Sequence, residues 1–169
     1  MPANEPSATD FQGLLETLQQ GGVEFILIGG VAATAHGSPR LTLDLDVVYR
    51  RSPENIERLV EALKPLSPYL RGAPPGLPFR WDAQTVTKGL NFTLQTSLGS
   101  LDVLGEITGG GGYDLLLASS HAVQLLGVDC LCLGLDKLIQ VKRAAGRPKD
   151  LEAIAELEAI REERQKRGL

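Results

Sequence analysis

The chain has 169 residues, of which 43% are hydrophobic and 22% charged, and its formal net charge is −4. This composition suits one globular domain, and the acidic balance disfavours a protein that coats nucleic acid without sequence preference. The first residues do not follow the pattern of a secretory signal, and no apolar run is long enough to cross a membrane. We therefore expect a cytoplasmic protein with a single domain over residues 1–169, helical from about residue 135.

The first forty residues predict a helix, a strand and a second, shorter helix. Residues 10–20 carry apolar side chains at helical spacing, and two glycines follow them. The apolar segment 23–30 predicts a short buried strand that ends at a Gly-Gly pair. The alanine-rich segment 31–37 predicts a short helix closed by Gly37.

Residues 41–50 predict a half-buried strand, because apolar and polar residues alternate there. We expect one face to point into the core, and it comprises Leu41, Leu43, Leu45 and Val47. The other face comprises Thr42, Asp44, Asp46 and Val48. The backbones of Asp44 and Asp46 are then about 6.6 Å apart, twice the rise of ~3.3 Å per strand residue.

The middle of the chain predicts one helix, an irregular segment and a hairpin. Ser52 and the proline after it open a helix that runs to about Leu63. The proline-rich segment 66–79 suits neither a helix nor a central strand, so we expect it to be irregular or mobile. In residues 90–107, apolar and polar residues alternate on both sides of a short turn, which predicts a hairpin. The side chain of Asp102 is expected on the face opposite to its apolar neighbours.

The last third of the chain predicts a loop, a second hairpin and two helices. Residues 108–114 are rich in glycine and predict a loop, and a hairpin is expected around Gly127. Its second strand carries Cys130 and Cys132, which we expect to be core or half-buried thiols rather than disulfide or zinc ligands. From Asp136 the chain is predicted to be helical, with a break at residues 146–148.

Three carboxylates and a glycine pair together predict a site for phosphate chemistry. Asp44 and Asp46 repel each other unless a cation lies between them, and Asp102 supplies a third acid from a second strand. Mg²⁺ is typically held by one or two carboxylates together with substrate phosphates. The helix start after Gly29-Gly30 offers free N–H groups to an anion. The alternative interpretation is a solvated strand face.

These residues resemble the signature of the polymerase-beta-like nucleotidyltransferase superfamily. That signature is a strand ending in Gly-Gly or Gly-Ser, a strand with Asp-x-Asp, and a third strand with one acid, here in "GGVAATAHGSPRLTLDLDVV" and "LDVL". The closer similarity is to the abortive-infection (AbiEii-type) nucleotidyltransferase-like proteins. Their typical Arg-x-Thr-x-Asp-x-Asp motif is present as Arg40, Thr42, Asp44 and Asp46.

The resemblance implies an α+β fold, a mixed β-sheet with helices packed mainly on one face. It implies that Asp44, Asp46 and Asp102 are catalytic and bind Mg²⁺ or Mn²⁺. The implied reaction moves a nucleoside monophosphate from an NTP to a hydroxyl of RNA, such as a tRNA end, or of a protein. A cognate toxin or antitoxin is an implied partner. The expected nucleotide-binding residues are Gly29, Gly30, Arg40, Thr42 and Lys142.

A second interpretation keeps the fold without the catalysis. The chain would then bind a nucleotide or a partner protein, as an antitoxin does. All three acids favour the enzyme, whereas Gly30 favours the binding protein, because many polymerase-like members have a serine hydroxyl at that position.

Three further residues have two interpretations each. Trp81 could stack on a base, but a tryptophan beside a proline-rich segment more often anchors that segment to the core. Asp150 could belong to a Lys-Asp element of the family or could favour a helix start through the helix dipole. His36 is expected to cap or pack rather than to catalyse.

Overall fold

The computed structural model describes residues 8–169, which form seven α-helices, one short 3₁₀ helix (Lys64–Leu66) and nine strands. The helices are α1 (Phe11–Gln20), α2 (Gly29–Ala35), α3 (Pro53–Leu63), α4 (Ala83–Lys88), α5 (Tyr113–Leu117), α6 (Leu135–Ala145) and α7 (Pro148–Lys166). The strands are β1 (Phe25–Ile28), β2 (Asp44–Tyr49), β3 (Tyr69–Leu70), β4 (Asn91–Thr96), β5 (Gly99–Leu104), β6 (Glu106–Ile107), β7 (Gly111–Gly112), β8 (Ser120–Leu125) and β9 (Val128–Leu133). Within the described residues, no helix combines the length and the apolar character needed to cross a membrane.

A seven-stranded mixed sheet organises the molecule, with strand order β3-β4-β5-β2-β1-β9-β8. The β2–β5 and β1–β9 pairs are parallel, and the other neighbouring pairs are antiparallel. Strands β6 and β7 form a separate two-stranded ribbon. The predicted α+β fold with a mixed sheet is therefore confirmed.

The two faces of the central strands differ in burial. One face is apolar, and its fully buried side chains include Leu45, Val47, Leu94, Leu101 and Val103. Helix α3 lies on this face, because Trp81 donates its indole N–H to Val60 O at 3.1 Å and packs edge-on against Phe92. Helix α1 packs on α3. The opposite face of the same strands carries the three aspartates.

The prediction for the first part of the second strand is wrong. The strand begins at Asp44 rather than Leu41, and the side chains of Leu41 and Leu43 are 98% and 79% exposed. On one side, β1 ends at Ile28, which pairs with Asp46; on the other, β5 begins only one residue before the partner of Asp44. Residues 41–43 therefore lack neighbouring strands, so their alternation does not lead to burial.

Two short helices were not expected from the sequence. Helix α4 follows the proline-rich segment, and Asp82 caps it by accepting a hydrogen bond from Thr85 N at 2.8 Å. Helix α5 starts inside the predicted loop 108–114, because Tyr113 and Leu116 bury their side chains in the core. Helix α2 also begins two residues earlier than expected, at Gly29 itself.

Most other local predictions are confirmed. The two hairpins form, although residues 106–107 of the first pair with residues 111–112 instead. The proline-rich segment is irregular apart from the two-residue edge strand β3 and Leu66, which ends a 3₁₀ helix. Trp81 anchors the chain to α3, and Asp150 accepts a hydrogen bond from Arg147 N at the start of α7. Buried His36 ends α2, and its Nε2 lies 2.8 Å from Leu133 O. Cys132 is buried and Cys130 half-buried, both as free thiols.

Candidate active site

The sheet brings the three predicted carboxylates together on one face. Asp46 and Asp102 are direct partners on the parallel strands β2 and β5, and Asp44 pairs with Ser100 in the same ladder. Residues two apart on a strand point to the same side, so all three side chains project from one surface. Asp44 is 40% exposed and Asp102 is 18% exposed, which places the cluster between solvent and the sheet.

An arginine that the sequence did not single out contacts this cluster. Arg71 Nη1 lies 3.2 Å from Asp44 Oδ1, and its Nη2 forms a hydrogen-bonded ion pair with Asp102 Oδ1. Arg71 directly follows edge strand β3, inside the proline-rich segment. Its position could have been found only from the pairing of that segment with β4, because Arg71 and Asp102 are 31 residues apart in the chain.

Burial and like charge shift the proton equilibria of the cluster. Burial, together with the negative charges of the neighbouring Asp102 and Asp44 carboxylates, raises the pKa of Asp46 to about 8. Burial also raises the pKa of Asp102, opposed by the hydrogen bond from Asp46 and by the charge of Arg71. Asp46 Oδ1 is buried and has no hydrogen-bond partner. Asp46 is therefore an acid whose ionised form this pocket stabilises poorly.

The glycine pair allows the start of α2 to approach the acids closely. Gly29 has φ of +68°, and a Cβ at that position would overlap the Asp46 carboxylate. A Cβ on Gly30 would lie 2.6 Å from Thr42 Oγ1. The Thr42 hydroxyl itself donates to Asp44 O at 3.1 Å. A side chain at position 29 or 30 would therefore collide with Asp46 or Thr42. Gly29 also adopts a left-handed backbone conformation that favours glycine.

The two predicted nucleotide-binding cations occupy different environments. Arg40 pairs with Glu156 at 2.8 Å and with Glu152 at 3.4 Å, both on α7. Lys142 on α6 faces the acids: burial lowers its pKa, and the charges of Asp150 and Asp46 oppose that shift. Only Lys142 of these two cations lines the cavity beside the carboxylates.

A cavity of about 440 Å³ lies between the acidic face of the sheet and helix α6. Its size falls within the range of small-molecule and cofactor sites in proteins. The wall is polar on the sheet side and apolar on part of the helix side. Its lining includes Gly29, Asp46, Asp102, Leu138, Val141 and Lys142.

The donor atoms of the cluster fit a hard divalent cation. They are carboxylate oxygens alone, the type that Mg²⁺ and Mn²⁺ prefer, and one of them, Asp46 Oδ1, is buried without a partner. Among residues 8–169, no three His, Cys, Asp or Glu side chains already form a metal-binding group. The Arg71 guanidinium, paired with Asp44 and Asp102, supplies positive charge to the cluster instead.

Two solved structures resemble this fold over most of their length. The lincosamide antibiotic adenylyltransferase LnuA, in its lincomycin-bound form, aligns with a TM-score of 0.60 and 14% sequence identity, covering 90% of this chain and 98% of LnuA. A candidate nucleotidyltransferase from Thermotoga maritima aligns with a TM-score of 0.56 and 15% identity, covering 85% of this chain and 87% of its own. The chain has the nucleotidyltransferase fold. No protein-family model and no curated protein sequence matches it.

Proposed function

We propose that this protein is a metal-dependent nucleotidyltransferase that moves a nucleoside monophosphate from an NTP to a hydroxyl group, releasing pyrophosphate. One observation carries the proposal: Asp46 and Asp102 are register partners on parallel strands and both line the cavity, and Asp44 projects from the same face of the sheet. Asp44, Asp46 and Asp102 would hold Mg²⁺ or Mn²⁺. The metal would supply activation of the attacking hydroxyl and neutralisation of charge on the leaving oxygen.

The side chains of the cavity would divide the work between the acceptor and the nucleotide. Asp102 and Asp46, once ionised by metal binding, would lie next to the point where an acceptor hydroxyl would lose its proton. Lys142 presents a partly desolvated cation to the same space and would attract phosphate oxygens. Gly29 and Gly30 would let phosphates approach the backbone closely, and Arg40 and Thr42 keep their predicted nucleotide-binding roles as part of this proposal.

The acceptor is proposed to be an RNA end, such as that of tRNA, or a protein hydroxyl, in the cytoplasm. The Arg-x-Thr-x-Asp-x-Asp motif supports an AbiEii-type relationship and hence a toxin or antitoxin partner. The likeness to LnuA adds a third acceptor class, a small hydroxylated molecule, because LnuA is bound to lincomycin. The cavity volume suits a nucleotide or a molecule of that size.

The second candidate function is binding without catalysis. Arg71 already pairs with two of the three acids, and Gly30 offers no hydroxyl to a phosphate. A protein of this kind would bind a nucleotide or a partner protein and would release no pyrophosphate.

Label transfer from each α-³²P-labelled NTP, with Mg²⁺ or Mn²⁺, tests the enzyme directly. The acceptor pools are total tRNA, the protein itself with cell proteins, and lincomycin with other hydroxylated antibiotics. We expect transfer to one pool with release of pyrophosphate, and a fall to about one hundredth or less in Asp102→Asn, since a carboxylate that would hold the charge-neutralising metal is lost. Asp129→Asn, an exposed aspartate on β9, should keep wild-type activity.

Thermal unfolding separates the two functions when the acceptor is unknown. Metal together with an NTP should raise the melting temperature of the wild type, because a ligand that binds only the folded state stabilises it. Asp46→Asn should abolish that shift. Nucleotide-dependent stabilisation without pyrophosphate release from any pool would favour the binding protein. No stabilisation at all would contradict both the enzyme and a nucleotide-binding protein.

A further inference from the structure

Arg71 places a cation of the protein itself among the acids that are proposed to bind metal. We propose that Arg71 is an exchangeable internal counter-ion: it neutralises Asp44 and Asp102 without divalent metal, and it must leave them for the metal to bind. Arg71 thereby sets the metal concentration at which the site fills. This inference rests on the proposed function and adds a regulatory residue to it.

The position of Arg71 follows from a single row of residues across the sheet. Thr93 on β4 pairs with Asp102 on β5, which in turn pairs with Asp46 on β2. The register of β3 with β4 continues by one residue, because Arg71 N donates to Thr93 O at 2.9 Å. Strands are ~4.8 Å apart, so the backbones of Arg71 and Asp102 are separated by about 9.6 Å. A long side chain spans that gap over the short Thr93.

The guanidinium of Arg71 has two carboxylate partners, but its hydrogen bonds are incomplete. Its Nε is buried without a partner, whereas Nη2 reaches Leu94 O at 3.3 Å in addition to Asp102. A buried ion pair is favourable only when its remaining donors are also satisfied. The side chain is 27% exposed, so it has access to solvent. Arg71 is therefore held mainly by its attraction to the two aspartates. A competing cation that neutralised these carboxylates would abolish that attraction.

The backbone around Arg71 permits this exchange without disturbing the sheet. The hydrogen bond from its N–H to Thr93 O holds the main chain, so only the side-chain rotamers need to change. The next residue, Gly72, has φ of +78° and no heavy atom within 4 Å of where its Cβ would lie. The guanidinium and a divalent ion both require the same oxygens of Asp44 and Asp102 and repel each other. Their binding is therefore mutually exclusive or strongly antagonistic.

Manganese binding without nucleotide tests the proposal on the whole chain. Free Mn²⁺ is followed by its electron paramagnetic resonance signal in the wild type, Arg71→Gln and Arg71→Lys. We expect Arg71→Gln to bind Mn²⁺ about tenfold more tightly, within the usual range for coupled ligands. Arg71→Lys should lie between the two, because lysine keeps the charge but not the two-pronged geometry. The control is Arg80→Gln, which changes an exposed arginine directly after the proline-rich segment and should match the wild type.

A measurement on the unmodified protein guards against variants that do not fold. The ¹⁵N–¹H signal of the Arg71 Nε–H should shift when Mg²⁺ is added, while that of Arg80 should not. An unchanged Arg71 signal with Mg²⁺ bound, or equal or weaker Mn²⁺ binding by a folded Arg71→Gln, would overturn the counter-ion role alone. If neither the wild type nor Arg71→Gln binds Mn²⁺, the metal-dependent function falls as well.

Discussion

The protonation of Asp46 contributes to the stability of the metal-free protein. Burial and neighbouring carboxylates raise its pKa to about 8 in the folded state, well above the ordinary value of 3.8. Between these two values the folded state keeps a proton that the unfolded state has lost. The contribution of Asp46 to the free energy of unfolding therefore falls as the pH rises from about 4 to about 8. Below that window both states are protonated, and above it both are ionised.

Asp46→Asn should remove this part of the pH dependence. In EDTA, we expect the free energy of unfolding of the variant to gain on that of the wild type as the pH rises from about 4 to about 8, because the amide never ionises. Urea unfolding at several pH values measures the difference. Asp129→Asn, exposed on β9, should show a constant difference over the same range. A gap between Asp46→Asn and wild type that shrinks with rising pH would refute the assignment.

At the scale of elements, a buried polar side chain helps to hold helix α3 on the sheet. Asn55 is fully buried, and its Oδ1 accepts from Glu24 N at 2.7 Å. Its Nδ2 donates to Glu24 O at 2.9 Å and to Arg50 O at 2.8 Å. These backbone groups lie next to β1 and β2, beyond the ends of their shared ladder. Asn55 therefore satisfies polar groups that would otherwise be left without partners.

Asn55→Ala should lower the free energy of unfolding by about 3 kcal/mol, since each buried polar group left unpaired is costly. The matched control is Ser52→Ala, which removes the N-cap bond to Asn55 N on the same helix and should cost about 1 kcal/mol. Urea denaturation compares the two. Equal losses in both variants would mean that Asn55 does not hold α3 to the sheet.

At the scale of the whole molecule, stability is concentrated in the centre of the sheet. Strands β2 and β5 have neighbours on both sides and a fully buried face. Helix α7 buries Asp150, Ile154 and Leu157 in its first half, whereas its second half attaches through half-buried Ile160, hydrogen bonds from Arg164 to His36, and surface ion pairs. Such exposed pairs contribute little to stability. The molecule should therefore open locally at its C-terminal helix before its sheet unfolds.

Hydrogen exchange followed by mass spectrometry tests this order. We expect the amides of β2 and β5 to exchange slowest and those of residues 158–166 fastest among the long helices. Helix α6 provides the internal comparison, because four of its eleven residues are buried. Protection of residues 158–166 equal to that of β5 would show that α7 belongs to the same cooperative unit as the sheet.

Local patterns in the sequence were enough to predict much of the fold and the face of the acids. The Asp-x-Asp spacing puts Asp44 and Asp46 on one side of any strand, and Gly146, at φ of +65°, ends α6 where the helix break was expected. Each of these features is determined by residues that are close together in the sequence. Alternation, helix caps and turn residues are therefore enough to predict them. The sheet order and the parallel pairing of β2 with β5 then placed Asp102 beside Asp46.

The tertiary structure alone decided which residues complete the cluster and which are exposed. Leu43 alternates correctly but lies outside the strand ladder, and Arg71 reaches Asp44 and Asp102 only because β3, β4, β5 and β2 are neighbours. Alternation along a strand determines the side on which a residue projects, but not how far the partner strands extend or which distant side chain comes alongside. Those depend on pairings between segments far apart in the chain, whose register is set by burial of the whole apolar face.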